Sequence, residues 1–426
     1  MQCKIKSLVK REWLSFFLVA WLVVCSGSQH FRIYNSFFTN MLLLVMALFC
    51  LFKWKKITKN NCIRIVVIGV FVGYSVFVGV YINHFQLKLN DAMIFFITCT
   101  VLVILQSTMS AADFKNKYVY FMTAETLLSL VCFILVVFLE FDKLPGYYER
   151  IVHYSEQGYN IVYLTPYYTL GWLSTHGYFR RNAGMFWEPG AHAVYLNLAI
   201  LFIFGGALDG IKPKIRYTVL GILMLGSLST MSTTGYLTLA VSIAFFIFQG
   251  PKKQNTRKKM IIAIIVTVAV LYVALFGSVF DKLIYRSGSF GTRFNDTIVG
   301  LSVACQNWFM GKGIFVDITD TLNDVGIVNM SNGMVGLLIR IGFPMMIIYV
   351  KALCKGIKQL FQVSGIALFC AELFFLLSMC SESLCTYPIF ISLLFFWRNN
   401  HKKVEFTYET LINKCTRKSL YIKEKA

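Results

Sequence analysis

The chain has 426 residues, of which 57% are hydrophobic and only 14% charged, with a mean hydropathy of +0.64. That balance excludes an ordinary soluble globular domain and puts most of the chain in lipid. A net charge of +21 would suggest nucleic acid in a soluble protein. Here the cations cluster between long apolar runs, where membrane topology and anionic inner-leaflet lipid account for them.

A helix needs about 20 apolar residues to cross the hydrocarbon core. Runs of that character lie near 13–28, 37–52, 62–82, 91–109, 118–139, 189–208, 215–230, 233–249, 260–280, 332–350, 363–380 and 383–397. With the N-terminus cytoplasmic, most of the 41 basic residues fall on one side, including Lys4 to Arg11, Lys53 to Arg64, Lys252 to Lys259 and the tail from Arg398. The positive-inside rule therefore favours an even number of crossings with both ends inside. The fold expected is all-α and polytopic: a single transmembrane domain over 1–426 with about 12 helices, ten being the lower bound. Two large outer segments, 141–188 and 277–331, and a basic cytoplasmic tail, 398–426, complete it.

The basic start followed by an apolar run reads as an uncleaved first span, since no small-residue cleavage pattern follows. The twelve cysteines show neither a disulfide framework nor a zinc spacing. Up to residue 140 the glycines Gly69, Gly73 and Gly79 suit close helix packing. Two acids stand out, Glu125 within the fifth run and Glu140 at its outer end, because a carboxylate at membrane depth is costly.

Residues 141–188 are too long for a mere connector. They are dense in tyrosine, with Tyr147, Tyr148, Tyr154, Tyr159, Tyr163, Tyr167, Tyr168 and Tyr178. Aromatic faces stack on the C–H faces of sugars, and they also form interfacial belts in membrane proteins. Both readings stand at this point. The segment ends in the stretch on which the chemistry centres, Arg180 to Ile200, with His176 just before it. Arg180 and Arg181 supply adjacent cations. Gly184 permits a tight turn, and Pro189 suits the first turn of a helix, where its missing N–H costs nothing. Glu188 then falls at an N-cap, either as a capping group or as a base, and His192, four residues on, can share its face.

Ser227 to Tyr236 forms a dense hydroxyl cluster between the seventh and eighth runs, able to satisfy helix ends or to meet sugar oxygens. In the second outer segment Arg286 and Arg293 flank the donor-rich stretch Ser287 to Thr292, and the planar guanidinium fork suits phosphate. The apolar stretch from Ile298 to Met310 is too short to span and reads as an outer amphipathic or re-entrant helix. Gly311-Lys312-Gly313 follows. Asn332 opens the tenth run, which carries Arg340 at membrane depth, with Glu372 or Glu188 as its expected acidic partner. Asp317, Asp320 and Asp324 are spaced too loosely for a metal site, and neither a metal nor another cofactor is expected.

The pattern Arg181-x-x-Gly184-x-Phe186-x-Glu188-Pro189, then Arg293, then Gly311-x-Gly313, then Asn332 ahead of Gly342-Phe343-Pro344, resembles the O-antigen polymerase (Wzy-type) and O-antigen ligase superfamily. The resemblance covers roughly residues 175 to 390 by motif. It implies a fold like that of C-type glycosyltransferases and a place in the bacterial inner membrane. It also implies an undecaprenyl-diphosphate-linked oligosaccharide as substrate, with Arg181 and Arg293 on the diphosphate and Glu188 on the acceptor hydroxyl. Arg180, His176, Arg286, Asn332 and Arg340 would contact substrate, and His192 would join the catalytic set.

Ligases of that superfamily carry a His-Asn pair where this chain has Ser331-Asn332, which favours polymerisation over transfer to lipid A-core. A flippase for polyprenyl-linked oligosaccharide is the rival of another class; its usual inverted repeats are not found here. Membrane lipids, a flippase and a chain-length regulator are the partners this reading implies.

Overall fold

The computed structural model describes residues 2–28, 59–139, 151–154, 159–165, 168–171, 181–249, 287–326, 330 and 332–395. In chain order these form α1 (Gln2–Cys25), α2 (Lys59–Phe77), which runs into a π-helical turn (Val78–Ile82), α3 (Leu89–Thr108) and α4 (Ala111–Leu139). Strands β1 (Ile151–Tyr154), β2 (Tyr159–Thr165), β3 (Tyr168–Gly171) and β4 (Arg181–Asn182) follow, then α5 (Pro189–Phe204), α6 (Pro213–Ser229) and α7 (Thr233–Phe248). The remainder comprises α8 (Ser287–Gln306), α9 (Thr319–Asn323), α10 (Gly333–Phe361), α11 (Gly365–Ser381) and α12 (Pro388–Leu393).

The described chain is mostly helical, a make-up compatible with a helical membrane protein. Among the described residues four helices are long and apolar enough to cross a bilayer: Lys59–Ile82, Leu89–Gln106, Ala111–Leu135 and Gly333–Phe361. Shorter apolar helices are Ser15–Cys25, Pro189–Phe204, Thr233–Phe248 and Gly365–Ser381. The runs at 37–52 and 260–280 lie outside the described residues. At 383–397 the expected crossing is not found over the described part. Those residues turn through Tyr387 into the six-residue α12, about 9 Å of helix against a hydrocarbon core of about 30 Å.

All-α is also corrected in one place. Between Ile151 and Asn182 lies a four-stranded antiparallel sheet in the order β1-β2-β3-β4, with Ile151 opposite Val162, Val162 opposite Leu170, and Gly171 opposite Arg181. Its Ile-Val-His-Tyr and Tyr-Asn-Ile-Val-Tyr-Leu-Thr stretches are rich in β-branched and aromatic residues, which fit a pleated surface.

Helix α5 is the hub. All sixteen of its residues are buried, as a helix apolar all round requires. It packs against α4, α6 and α7, while α7 in turn packs against α11. Its one amide, Asn197, is saturated: Nδ2 donates to Gly235 O at 2.7 Å and Thr238 Oγ1 at 2.8 Å, and Oδ1 accepts from Ser227 Oγ at 2.8 Å. Such interhelical bonds between small polar groups fix helix register in an apolar setting. The Tyr195 hydroxyl donates to Ser26 O, and Ser26 Oγ accepts from Ile389 N, tying the end of α1 and the start of α12 to the hub.

Helix α10 is broken at Gly342, whose φ of 72° and ψ of 169° suit glycine alone. Pro344 has no N–H for the carbonyl of Arg340, and the Phe343 N–H turns away from Ile339 to donate to Trp308 O at 2.8 Å. The loop after α8 supplies what the helix lacks. Lys312 N donates to Ile339 O and Gly313 N to Arg340 O, each at 2.9 Å. Non-helical backbone at membrane depth needs this kind of internal satisfaction. A β-carbon on Gly311 would lie 2.5 Å from Arg340 O, so the Gly-Lys-Gly motif is a docking element for the broken helix.

Candidate functional site

The site lies at the N-terminal end of α5, where three segments converge: residues 181–188, the α6–α7 turn, and the turn from Glu382 to Tyr387 between α11 and α12. Residues 181–188 are held from below. His192 is fully buried, with Nε2 3.0 Å from Glu125 Oε2, and the other carboxylate oxygen of Glu125 accepts the Met185 N–H at 3.2 Å. Asn182 Oδ1 accepts the Gly184 N–H at 3.0 Å, and Asn182 Nδ2 donates to Ser229 Oγ at 2.9 Å. Gly184 has a φ of 54°, and a β-carbon there would run into the Glu125 carboxylate and the His192 ring. Phe186 stacks on His192 and Tyr195, with ring centroids 5.3 and 4.4 Å away.

Arg181 donates from Nε to Thr230 O at 3.0 Å, which joins β4 to the α6–α7 turn. Within that turn the hydroxyls mostly serve backbone. Thr230 Oγ1 donates to Ser227 O, and Ser232 Oγ caps α7 by accepting from Gly235 N at 3.2 Å.

Glu188 occupies the N-cap of α5 in extended conformation, with Pro189 in the first turn, yet its side chain makes no capping hydrogen bond. Its carboxylate instead lies beside Gly190, where a β-carbon would meet Glu382 Oε1 at 2.7 Å, Glu188 Oε1 at 3.3 Å and Ser232 Oγ at 3.6 Å. Two carboxylates and a hydroxyl thus lie around one glycine. The Trp187 ring lies 5.4 Å from that of Tyr387, which closes the contact with the 382–387 turn.

That turn has a second side. Ser383, Thr386 and Tyr387 line a cavity of about 510 Å³ shared with Asp91 and Thr98 of α3 and Arg340 of α10. Arg340 donates from Nη1 to Ile314 O at 2.9 Å and Val316 O at 3.4 Å. Both partners are backbone carbonyls, and among the described residues Arg340 forms no ion pair with Glu372 or Glu188, the acids expected for it. The loop after α8 reaches Arg340 by tertiary folding and meets it with these carbonyls. Asp317 pairs with Lys88 at 2.9 Å.

The remaining sequence candidates are placed as follows. Asn332 is the N-cap of α10, with Oδ1 accepting from Met334 N and Val335 N, and its Nδ2 donates to Thr297 Oγ1 of α8 at 3.1 Å. It therefore bonds protein through both ends of its amide. Arg293 lies on α8, but its side chain is outside the described residues, and Arg286, Arg180 and His176 lie outside them altogether. Glu125, Glu382 and Asp91 join the site from distant parts of the sequence. Glu125 was visible as an acid at membrane depth; the other two carried no signal of their own. Among the described residues no cluster of His, Cys, Asp and Glu could hold a metal ion.

No protein-family model matches the chain, and no curated protein matches it.

Proposed function

We propose that the protein is a metal-independent glycosyltransferase of the O-antigen polymerase kind. It would join polyprenyl-diphosphate-linked oligosaccharide units at the outer face of a bacterial inner membrane, with ten to twelve crossings, a GT-C-like fold and both termini cytoplasmic. The observation that carries this reading is Glu188, an N-cap residue that does not cap. Its carboxylate lies by Gly190, as do the Glu382 carboxylate and the Ser232 hydroxyl, on a backbone fixed by the Glu125–His192 pair.

A carboxylate kept out of its obvious structural use suits a base acting on an acceptor hydroxyl. In the reaction Glu188 takes the hydroxyl proton as the oxygen attacks the anomeric carbon of the donor glycan. The bond from that carbon to the diphosphate oxygen breaks, and polyprenyl diphosphate leaves with the electron pair. Arg181, and Arg293 by the family resemblance, would neutralise the charge that develops there, while the leaving group's own stability lowers the barrier. His192, buried beneath the segment, takes a positioning role in this account.

The test is mass spectrometry of the purified chain incubated with lipid-linked repeat units. A ladder of products spaced by one repeat unit supports the reading. Transfer only to lipid A-core would make the protein a ligase, and movement of intact units across vesicles without new bonds would make it a flippase.

A further inference from the structure

The cavity between α3, α10 and the 382–387 turn is distinct from the carboxylate pair at Gly190, yet it adjoins it: Ser383, on its rim, directly follows Glu382, and Tyr387 in its wall touches Trp187. Its volume of about 510 Å³ falls within the roughly 300 to 1,000 Å³ typical of small-molecule sites. The charged side chains that line it are one of each sign, Arg340 and Asp91. The hydrogen bonds of Arg340 use Nη1, which leaves the Nε and Nη2 donors of the guanidinium. The same wall holds a carboxylate, which only accepts, and the hydroxyls of Thr98, Ser383, Thr386 and Tyr387, that of Ser383 donating to Met330 O at 3.1 Å.

This balance argues against a diphosphate in the cavity. The Asp91 carboxylate in its wall would oppose a polyanion. A neutral ligand with many hydroxyls fits better, because each hydroxyl can donate to a carboxylate and accept from a guanidinium. The apolar remainder of the wall, Phe95 and Phe315 among it, offers faces to the C–H groups of a ring.

We propose that this cavity holds a neutral sugar ring of the acceptor oligosaccharide, clasped between Arg340 and Asp91. In naming that sugar as acceptor the proposal rests on the glycosyltransferase reading. The link from the cavity to the Glu188 segment through Ser383 and the Tyr387–Trp187 contact would let the ring's neighbour present a hydroxyl to the base.

The experiment uses the full chain in lipid nanodiscs with a panel of methyl hexopyranosides and methyl N-acetylhexosaminides, read by saturation-transfer NMR. At least one glycoside should bind, Asp91→Asn and Thr386→Val should each weaken it by about tenfold, and farnesyl diphosphate should leave the signal in place. Asp91 and Thr386 are exposed at the rim, so both variants should elute as the parent does. The proposal is overturned by any of three results: no glycoside binds, the variants bind as the parent does, or farnesyl diphosphate displaces the glycoside. Glycoside binding without a polymer ladder would keep the pocket and remove the polymerase reading. A ladder without glycoside binding would remove the pocket alone.

Discussion

Glu125 on α4 and His192 on α5 meet 3.0 Å apart under the backbone of residues 182–185, and the same carboxylate accepts the Met185 N–H. The pair is a platform: it fixes the height and direction of the segment that delivers Glu188. Its burial is what makes it matter, with side-chain exposures of 0% for His192 and 7% for Glu125.

Removing one partner of a buried hydrogen-bonded pair leaves the other unsatisfied, at a cost of about 1 to 3 kcal/mol. Glu125→Ala should therefore lower thermal stability in detergent by that order, and Glu125→Gln, which still accepts the Met185 N–H, by much less. The double variant Glu125→Ala/His192→Ala should lose less than the two single variants added together. Strict additivity would show that the pair is not coupled.

Gly342→Ala should cost about 1 to 3 kcal/mol, because the backbone there is open to glycine alone. Phe309 O lies 2.6 Å from where the new β-carbon would stand. Thermal unfolding followed by size-exclusion fluorescence measures this. A variant as stable as the parent would mean that the α8–α10 loop does not dock as described.

Arg181→Lys keeps the charge and loses both the planar fork and the Nε bond to Thr230 O. Polymer yield should fall by roughly tenfold or more, the scale of one charge-assisted hydrogen bond, with the protein level unchanged. Arg293→Lys should behave alike if its guanidinium meets the same diphosphate. Full activity in both variants would remove the guanidinium clamp.

Much of this arrangement can be seen in the sequence, and the reasons are physical. Pro189 after Glu188 marks the start of α5 because proline is tolerated only in a helix's first turn, and α5 begins there. Asn332 marks the start of α10 by the same logic of capping. What escapes is tertiary. Glu382 reaches Gly190 only because α11 packs on α7, and no local pattern announces it. The sheet between Ile151 and Asn182 hides in a tyrosine-rich stretch that reads equally as a belt. Gly311, Gly313 and Pro344 are legible as breakers, but that one loop repairs the other helix's missing bonds is a property of the fold.

Membrane orientation is open to a direct check. Cysteines placed at Ser155 and Ser289 should react with a membrane-impermeant maleimide in intact cells if the proposed topology, which puts both positions outside, holds. Protection of both would invert the topology and with it the proposed face of action.

The central claim is that Glu188 acts on the acceptor, and the most direct measurement compares Glu188→Gln with Glu188→Asp in protein level, binding of lipid-linked donor and polymer yield. An amide cannot take the proton, so Glu188→Gln should fold, bind donor and make polymer at least about 100-fold more slowly, while Glu188→Asp retains part of the rate. A Glu188→Gln protein that folds, binds donor and polymerises near the parental rate would contradict the account.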